Sequence, residues 1–322
     1  MKSSKKILEG LYVTMLRIRR AQEKIAEIYP QEPRRIQCPV HLCTGQEATP
    51  AGVCANLLPD DAVFSVLRSH GHFIAKGEDL KALFAELYGK KTGCAGGKGG
   101  SMHLVSEKKG FGTSAMVSGA IPIAVGMALA FQMRRQKRIV ISFFGDAACE
   151  EGVWHESLNF AALKKLPIVF VCENNFYAVK SLLLARQPKD NIYQRAEGYG
   201  MPGIRVDGNN VLQVFYAAKE AIEKARKGMG PTLIEARTYR WRQHCENTFF
   251  DKDILEGRPK KEYESWLKRC PIKFFEKRLL ETKTFKKSDF EKIALKIDKE
   301  INAAVRFAEE SPFPGTNELR EI

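Results

Sequence analysis

The chain has 322 residues, 44% of them hydrophobic, which is enough for a large buried core. Its 52 Lys and Arg residues outnumber its 38 Asp and Glu residues, and the net charge is +14. Much of this excess lies in residues 252–299, where basic residues alternate with acidic ones along helical patterns. No nucleic-acid-binding motif accompanies them, so we expect no nucleic-acid partner and attribute the charge to solubility or to an acidic partner protein.

No hydrophobic run is long enough to span a membrane, and the first residues continue into a helical pattern without a small-residue cleavage site. We therefore expect no membrane partner and a cytoplasmic location. The eight cysteines lack the repeated CxxC pairs of a zinc site, which favours reduced thiols. A zinc site formed by Cys38, His41 and Cys43 stays open as the alternative.

In the first third of the chain, His41 follows a predicted helix and Arg68 follows a predicted strand. An amphipathic helix is predicted over residues 7–29 and ends at Pro30. The loop after it leads to His41, and a histidine in such a loop is more often structural than catalytic. Residues 61–67 read as a buried strand, and Arg68 follows it. A guanidinium at a strand end offers forked donors that suit a phosphate group.

Two later stretches are rich in glycine or uniformly apolar. Residues 90–103 resemble a phosphate loop in composition but lack the Gly-Lys-Ser/Thr ending of a nucleotide P-loop. Residues 115–131 are apolar almost all round, which predicts a helix buried in the core or at a subunit interface.

The central stretch, residues 139–177, predicts a βαβ unit. Runs typical of buried parallel strands occupy residues 139–144 and 167–172, and a helical pattern over residues 153–165 separates them. The carboxyl ends of two such strands meet at one edge of the sheet, so Asp146 and the Asn174–Asn175 pair are expected side by side.

These polar residues match the chemistry of a magnesium and phosphate site. Carboxylate and amide oxygens are ligands that magnesium accepts, and phosphate oxygens and water would complete its octahedron. Amides at the start of the next helix offer further donors to the same phosphates. From the residues alone, a helix cap at Asp146 and a turn at Asn174 and Asn175 stay open as alternatives.

Beyond a predicted loop over residues 177–186, strands are predicted at 203–206 and 232–237, with a helix over 211–227 between them. The alternation of strands and helices predicts one open, mostly parallel sheet in an α/β fold.

Several of these stretches resemble one family. Gly145-Asp146-Ala147, followed after 26 residues by Asn174-Asn175, resembles the Gly-Asp-Gly and Asn-Asn motif that binds thiamine diphosphate. HLCTGQEA at 41–48, LRSHG at 67–71 and TYRWRQH at 238–244 resemble stretches in alpha subunits of thiamine diphosphate-dependent 2-oxoacid dehydrogenases, of the pyruvate and acetoin types.

The resemblance covers nearly the whole chain and implies a three-layer α/β/α thiamine diphosphate-binding fold with helical extensions at both ends. We expect an N-terminal helical segment and substrate-side loop over residues 1–60. The α/β domain that binds thiamine diphosphate and magnesium is expected over residues 61–250. A charged helical segment over residues 251–322 is expected to pack on the same domain.

The resemblance also implies roles for individual residues. Magnesium is expected at Asp146, Asn175 and the carbonyl of Tyr177. The expected cofactor-binding positions are Arg68, Ala115, Val117, Asp146, Ala147, Ala148, Asn175, Tyr177 and His244. Among these, Arg68 and His244 are expected to hold the diphosphate, and the backbone of residues 115–117 is expected to face the aminopyrimidine ring. His41, His70 and His244 are the expected catalytic residues, with His41 facing the substrate carboxylate or acceptor and His70 near the reacting carbon.

The chain departs from the family's pattern at several positions. Ala147 and Ala115 stand where glycine is common, and Leu67 replaces a tyrosine, which removes a phosphate hydrogen bond worth about 1 kcal/mol. Arg242 and Gln243 replace small or histidine residues near the entrance, and Cys245-Glu246-Asn247 replaces a common serine-rich run. A substrate other than pyruvate itself is therefore expected.

The resemblance implies an alpha subunit that works in an α2β2 heterotetramer, in which a separate beta subunit supplies the activating glutamate. The enzyme would decarboxylate a 2-oxo acid and transfer the acyl or aldehyde unit to a lipoyl acceptor on a transacylase. A two-component transketolase-like enzyme or a nonoxidative decarboxylase or ligase with another acceptor is the alternative. A noncatalytic relic or a scaffold protein is less favoured.

Overall fold

The computed structural model describes residues 4–246 and 255–319. A six-stranded parallel sheet has the strand order β2-β1-β3-β4-β8-β7, and a separate antiparallel hairpin pairs β5 with β6. The strands are β1 (Ala62–Ser65), β2 (Phe111–Thr113), β3 (Val140–Gly145), β4 (Ile168–Asn174), β5 (Tyr177–Ala178), β6 (Ser181–Leu182), β7 (Gly203–Asp207) and β8 (Thr232–Arg237).

Helices of four to 24 residues accompany the strands. They are α1 (Lys5–Ile28), α2 (Ala48–Cys54), α3 (His70–Ala75), α4 (Leu80–Leu87), α5 (Ala120–Met133), α6 (Gly152–Leu163), α7 (Leu183–Arg186), α8 (Val211–Arg226), α9 (Lys260–Lys268), α10 (Pro271–Glu281) and α11 (Lys287–Glu310). Within the described residues, no helix is both long and apolar enough to cross a membrane.

Both faces of the sheet are covered, as a parallel sheet requires. Because side chains alternate along a strand, Ile141 and Val171 pack on one face with α1, α4, α8 and α11. Val140 and Phe170 pack on the other face with α5 and α6. The predicted three-layer α/β/α fold is confirmed.

The connections place a crevice between β1 and β3. The helices that follow β1 (α3 and α4) lie on one face of the sheet, and α6, which follows β3, lies on the other. Neighbouring parallel strands whose connections leave in opposite directions open a crevice at their carboxyl ends, where ligands bind in open α/β sheets.

The structure corrects two predicted elements. The predicted loop over residues 177–186 contains the β5–β6 hairpin and α7, and an amide hydrogen bond from Leu183 to the carbonyl of Phe176 closes it at 2.7 Å. Elements of two to four residues have too few positions to show a periodic pattern. The helix predicted from residue 115 begins at Ala120, because a turn in which Gly119 donates to the Met116 carbonyl precedes it.

Candidate active site

A cavity of about 180 Å³ opens at the carboxyl ends of β1, β3 and β4. Its lining residues are Gln46, Val66, Leu67, Arg68, Val117, Gly145, Asp146, Ala147, Ala148, Glu173, Asn175, Tyr177, Ala178, Val179 and His244. Of the predicted site residues, three do not line it: His41, His70 and Ala115. A larger surface cleft of about 460 Å³ near Tyr88 and Phe313 includes none of the residues at strand ends.

Asp146 is a buried acid in this cavity wall. It begins a short 3-10 helix over Asp146–Glu150 without capping it, and it is 2% exposed. Its Oδ2 accepts a hydrogen bond from Arg186 Nη2 at 2.5 Å, and the same guanidinium also binds Glu150. Burial raises the pKa of Asp146, whereas Arg186 opposes that change. A buried carboxylate in this position stabilises a cation beside it.

The two asparagines have different roles. Asn174 donates to Glu235 at 2.8 Å and accepts from the Phe176 amide at 3.1 Å, so it holds the turn. Asn175 accepts from the Tyr177 amide at 3.3 Å and faces the cavity. The predicted turn is therefore present, and the second asparagine also offers an oxygen to a ligand.

Two oxygen donors lie in this part of the cavity wall. The carboxylate of Asp146 and the amide oxygen of Asn175 are hard donors of the kind that magnesium accepts. In residues 4–246 and 255–319, no three His, Cys, Asp or Glu side chains are close enough to hold a metal ion, which gives the zinc alternative at Cys38, His41 and Cys43 no support.

Arg68 joins two loops beside the cavity. Its Nη1 donates to the Leu42 carbonyl at 2.6 Å, and its Nη2 donates to the His244 carbonyl at 3.0 Å. Burial lowers the pKa of Arg68 to about 9, and the nearby charge of Arg240 adds to this effect. The group is still a cation at neutral pH, so an anion in the cavity would be stabilised there.

The three predicted catalytic histidines lie at different depths. His244 lines the cavity, and the His41 ring lies behind it with 5.1 Å between ring centroids. His70 is fully buried, with Nε2 at 2.8 Å from Ser101 Oγ and Nδ1 at 3.3 Å from the Gln22 amide. Burial, with Arg68 nearby, lowers the pKa of His41 to about 2 and those of His70 and His244 to about 3. All three are neutral imidazoles at pH 7.

The loop that carries His244 is held from behind by a buried ion pair. Arg240 donates to Glu256 at 2.8 Å and to the carbonyl of Val179 at 3.1 Å. Glu256 also accepts from the backbone amide of His244 at 2.9 Å. The pair therefore fixes the His244 backbone against the β5–β6 hairpin. Asn247, a predicted departure from the family's pattern, lies outside the described residues.

The glycine-rich stretch folds around a buried carboxylate. None of residues 90–103 lines the cavity. Instead, the buried carboxylate of Glu86 accepts hydrogen bonds of 2.7–3.0 Å from backbone amides of the stretch. The donors are Ala95, Gly97, Gly99 and Gly100. Gly97 has a φ of +76°, and a Cβ there would lie 2.5 Å from the carbonyl carbon of Gly89, so only glycine fits.

Sequence reasoning missed three polar residues of the site: Gln46, Glu173 and Arg186. Glu173 lies 3.2 Å from His72 Nε2, and His72 Nδ1 lies 2.8 Å from Ser65 Oγ. Gln46 belongs to the quoted motif at 41–48 and Glu173 directly precedes the Asn174–Asn175 pair, so both could have been found as polar residues near element ends. Arg186 had no such signal, because it reaches Asp146 across 40 residues of sequence.

The alanines that replace glycine fit the backbone. Neither Ala147 nor Ala115 has a positive φ, so a methyl group is tolerated at both positions. Leu67 lines the cavity with an apolar side chain where a tyrosine would offer a hydroxyl.

Comparison with known proteins identifies the family. The model of the dehydrogenase E1 component family matches residues 13–317. The chain belongs to the dehydrogenase E1 component family. It is 42% identical to the alpha subunit of acetoin:2,6-dichlorophenolindophenol oxidoreductase of Bacillus subtilis over 312 residues, which cover 96% of this chain and 91% of that protein.

Pyruvate dehydrogenase E1 alpha subunits are also similar. That of Porphyra purpurea is 39% identical over 318 residues, covering 96% of this chain and 90% of that protein. The human testis-specific mitochondrial form is 36% identical over 318 residues, covering 97% of this chain and 79% of that protein. The predicted family is confirmed, and membership in it implies thiamine diphosphate as the cofactor. The comparisons support the dehydrogenase interpretation and not the transketolase-like alternative.

Proposed function

We propose that this chain is the alpha subunit of a thiamine diphosphate-dependent enzyme that decarboxylates a 2-oxo acid and transfers the acyl or aldehyde unit to a lipoyl acceptor. The observation that carries the proposal is the convergence of Arg68, Asp146, Asn175 and His244 on one cavity at the carboxyl edge of the sheet. Similarity to pyruvate and acetoin E1 alpha subunits over almost the whole chain supports it.

In this proposal, Asp146, Asn175 and the carbonyl of Tyr177 hold magnesium. Asp146 supplies the charge, and Arg186 leaves its 2.5 Å contact with that carboxylate when the metal binds. Arg68 and the backbone of Ala147 and Ala148 bind the diphosphate.

Bound thiamine diphosphate supplies an electron sink for decarboxylation. His244 lies beside the diphosphate as a neutral donor, since its pKa is lowered to about 3. His41, whose ring centroid lies 5.1 Å from that of His244, faces the substrate carboxylate or the acceptor. His70 is held in one orientation by Ser101 and Gln22, and from that position it stabilises charge near the reacting carbon.

A beta subunit completes the site and supplies the glutamate that activates the cofactor, in an α2β2 assembly. The cavity of about 180 Å³ is smaller than the 300–1,000 Å³ of typical ligand sites, which fits a site shared across an interface. An exposed apolar face on α5 offers a surface for such a partner, because Ile123 is 56% exposed and Met133 is 75% exposed. A lipoyl transacylase is the proposed acceptor partner.

The substrate is a small 2-oxo acid, and acetoin is the second candidate. Arg242 pairs with Glu246 at 3.6 Å near the entrance, where the family has small or histidine residues. The 42% identity to an acetoin oxidoreductase subunit favours the second candidate.

We further propose a cytoplasmic location. All eight cysteines are free thiols, as expected in a reducing compartment. Relatives include chloroplastic and mitochondrial forms, so cell fractionation with compartment markers is the appropriate test. Recovery of the chain in an organelle or outside the cell would contradict the proposed cytoplasmic location.

The activity is tested with the chain co-expressed and purified with its beta subunit. Reduction of 2,6-dichlorophenolindophenol is followed with acetoin, pyruvate and other 2-oxo acids, with Asp146→Ala as the control. Dye reduction that requires thiamine diphosphate, magnesium and the beta subunit is the expected result. A folded, cofactor-bound complex that reduces the dye with no 2-oxo acid would contradict the proposed decarboxylation, and dye reduction with acetoin alone would support the second candidate.

A further inference from the structure

Gln46 is a buried amide on the cavity wall whose hydrogen-bonding capacity is unused. It lies two residues before α2, is 1% exposed, and lines the cavity with Arg68 and His244. Among the residues that the structure describes, neither its Nε2 nor its Oε1 has a hydrogen-bond partner. Buried polar groups are nearly always paired, since an unpaired one retains the cost of its desolvation.

Gln22 shows that the same side chain is satisfied elsewhere in this core. It is 0% exposed, its Oε1 accepts from the Cys43 amide at 3.1 Å, and its amide lies 3.3 Å from His70 Nδ1. Gln22 therefore serves the fold, whereas Gln46 lines a cavity and its polar atoms are unpaired. An amide in that position is suited to a ligand.

Two groups that suit an anion lie on the same wall as Gln46, and the carboxylates of Asp146 and Glu173 also line the cavity. Arg68 is a cation on the same wall, and His244 is a neutral imidazole that can donate a hydrogen bond. Leu67, next to Arg68, offers no donor. We propose that Gln46 donates its Nε2–H to a diphosphate oxygen of the cofactor, beside Arg68. The inference rests on the proposed function and adds a cofactor-binding residue to it.

The proposal makes two opposite predictions for Gln46→Leu in the full chain purified with its beta subunit. Without cofactor, removal of the unpaired amide raises the thermal midpoint by about 1–3 °C. Loss of a hydrogen bond to a charged phosphate weakens the binding of thiamine diphosphate by about tenfold to a hundredfold in the presence of magnesium. Inorganic pyrophosphate, which carries only the diphosphate, loses affinity by the same factor.

Gln22→Leu is the matched control, because it makes the same chemical change at an equally buried position. It removes satisfied hydrogen bonds, so the thermal midpoint falls. Gln46→Met, with an unbranched side chain of similar length, provides a second variant if Gln46→Leu does not fold.

Calorimetric titration of thiamine diphosphate and of pyrophosphate separates the outcomes. If the wild-type complex binds neither, the proposed function fails and the Gln46 inference fails with it. If the wild type binds both and the Gln46 variants bind both equally well, only the inference is overturned. It is also overturned if the variants lose affinity for thiamine diphosphate alone, or if both lower the thermal midpoint as Gln22→Leu does.

Discussion

Arg186 is the residue that occupies the place expected for a cation beside Asp146. Replacement by leucine leaves a buried carboxylate without its partner, so Arg186→Leu should lower the free energy of unfolding by about 3 kcal/mol in the absence of metal. Magnesium with pyrophosphate should then stabilise the variant more than it stabilises the wild type, because the metal no longer displaces an arginine. Urea unfolding with and without these ligands measures both effects.

Arg17→Leu is the control for this change. It removes an exposed ion pair with Glu300, which is worth at most about 1 kcal/mol, and it lies on α1. If magnesium with pyrophosphate stabilised Arg186→Leu no more than it stabilises Arg17→Leu, Arg186 and the metal would not compete for Asp146.

The buried histidines predict loss of stability in acid. The pKa values of His41, His70 and His244 are lowered to between about 2 and 3 in the folded chain, whereas 6.5 is the ordinary value. The unfolded chain therefore binds more protons below pH 6.5, and stability falls as the pH falls. Each histidine contributes about 1.4 kcal/mol per pH unit in that window. Urea unfolding from pH 4.5 to 7.5 measures the free energy of unfolding as a function of pH. We expect this free energy to fall less steeply with falling pH in His70→Asn than in the wild type, and an equal slope would contradict the account.

At the level of residues, the sequence predicted side chains in short motifs better than side chains brought together by folding. Asp146 and Asn175 follow two strands of one βαβ unit, so their meeting was predictable. The unpaired amide of Gln46 and the contact of Arg186 with Asp146 depend on how loops fold onto the sheet, which no periodic pattern encodes.

The glycine-rich element depends on Glu86. Its carboxylate accepts from four backbone amides, and an amide side chain would present donors to donors. We expect Glu86→Gln to lower the free energy of unfolding by about 3 kcal/mol and to expose residues 90–103 to proteases. Glu78→Gln is the control, because burial raises the pKa of Glu78 and a neutral isostere should cost less there. Equal effects in the two variants, measured by urea unfolding and limited proteolysis, would contradict this role.

Elements were predictable where their apolar pattern was long. The predicted strand at residues 232–237 coincides with β8, and those at residues 139–144 and 167–172 correspond to β3 and β4. Strand β2 has three residues and was not predicted. It is extended because it pairs with β1.

For the whole molecule, the apolar surface of α5 and α6 bears on assembly. Ile123 and Met133 on α5 and Leu163 on α6 are each more than half exposed. Ile123→Glu places a charge on this surface and should reduce association with the beta subunit or a second copy, without loss of the fold. Leu295→Glu, at a similarly exposed position on α11, is the control. Light scattering after co-purification measures assembly, and full assembly of the Ile123→Glu complex would place the interface elsewhere.

The sequence predicted the need for a partner from family resemblance, because no pattern within one chain reports a surface completed by another. The structure adds that α5 is apolar on its exposed side as well as its buried side.

The central claim is that the cavity at the ends of β1, β3 and β4 binds thiamine diphosphate with magnesium and is completed by a beta subunit. Calorimetric titration of both ligands into this chain alone, and into the chain co-purified with its beta subunit, tests it most directly, with Asp146→Ala as the control. We predict binding that requires magnesium, strengthens with the partner and disappears in Asp146→Ala. Absence of binding in both folded preparations would contradict the account.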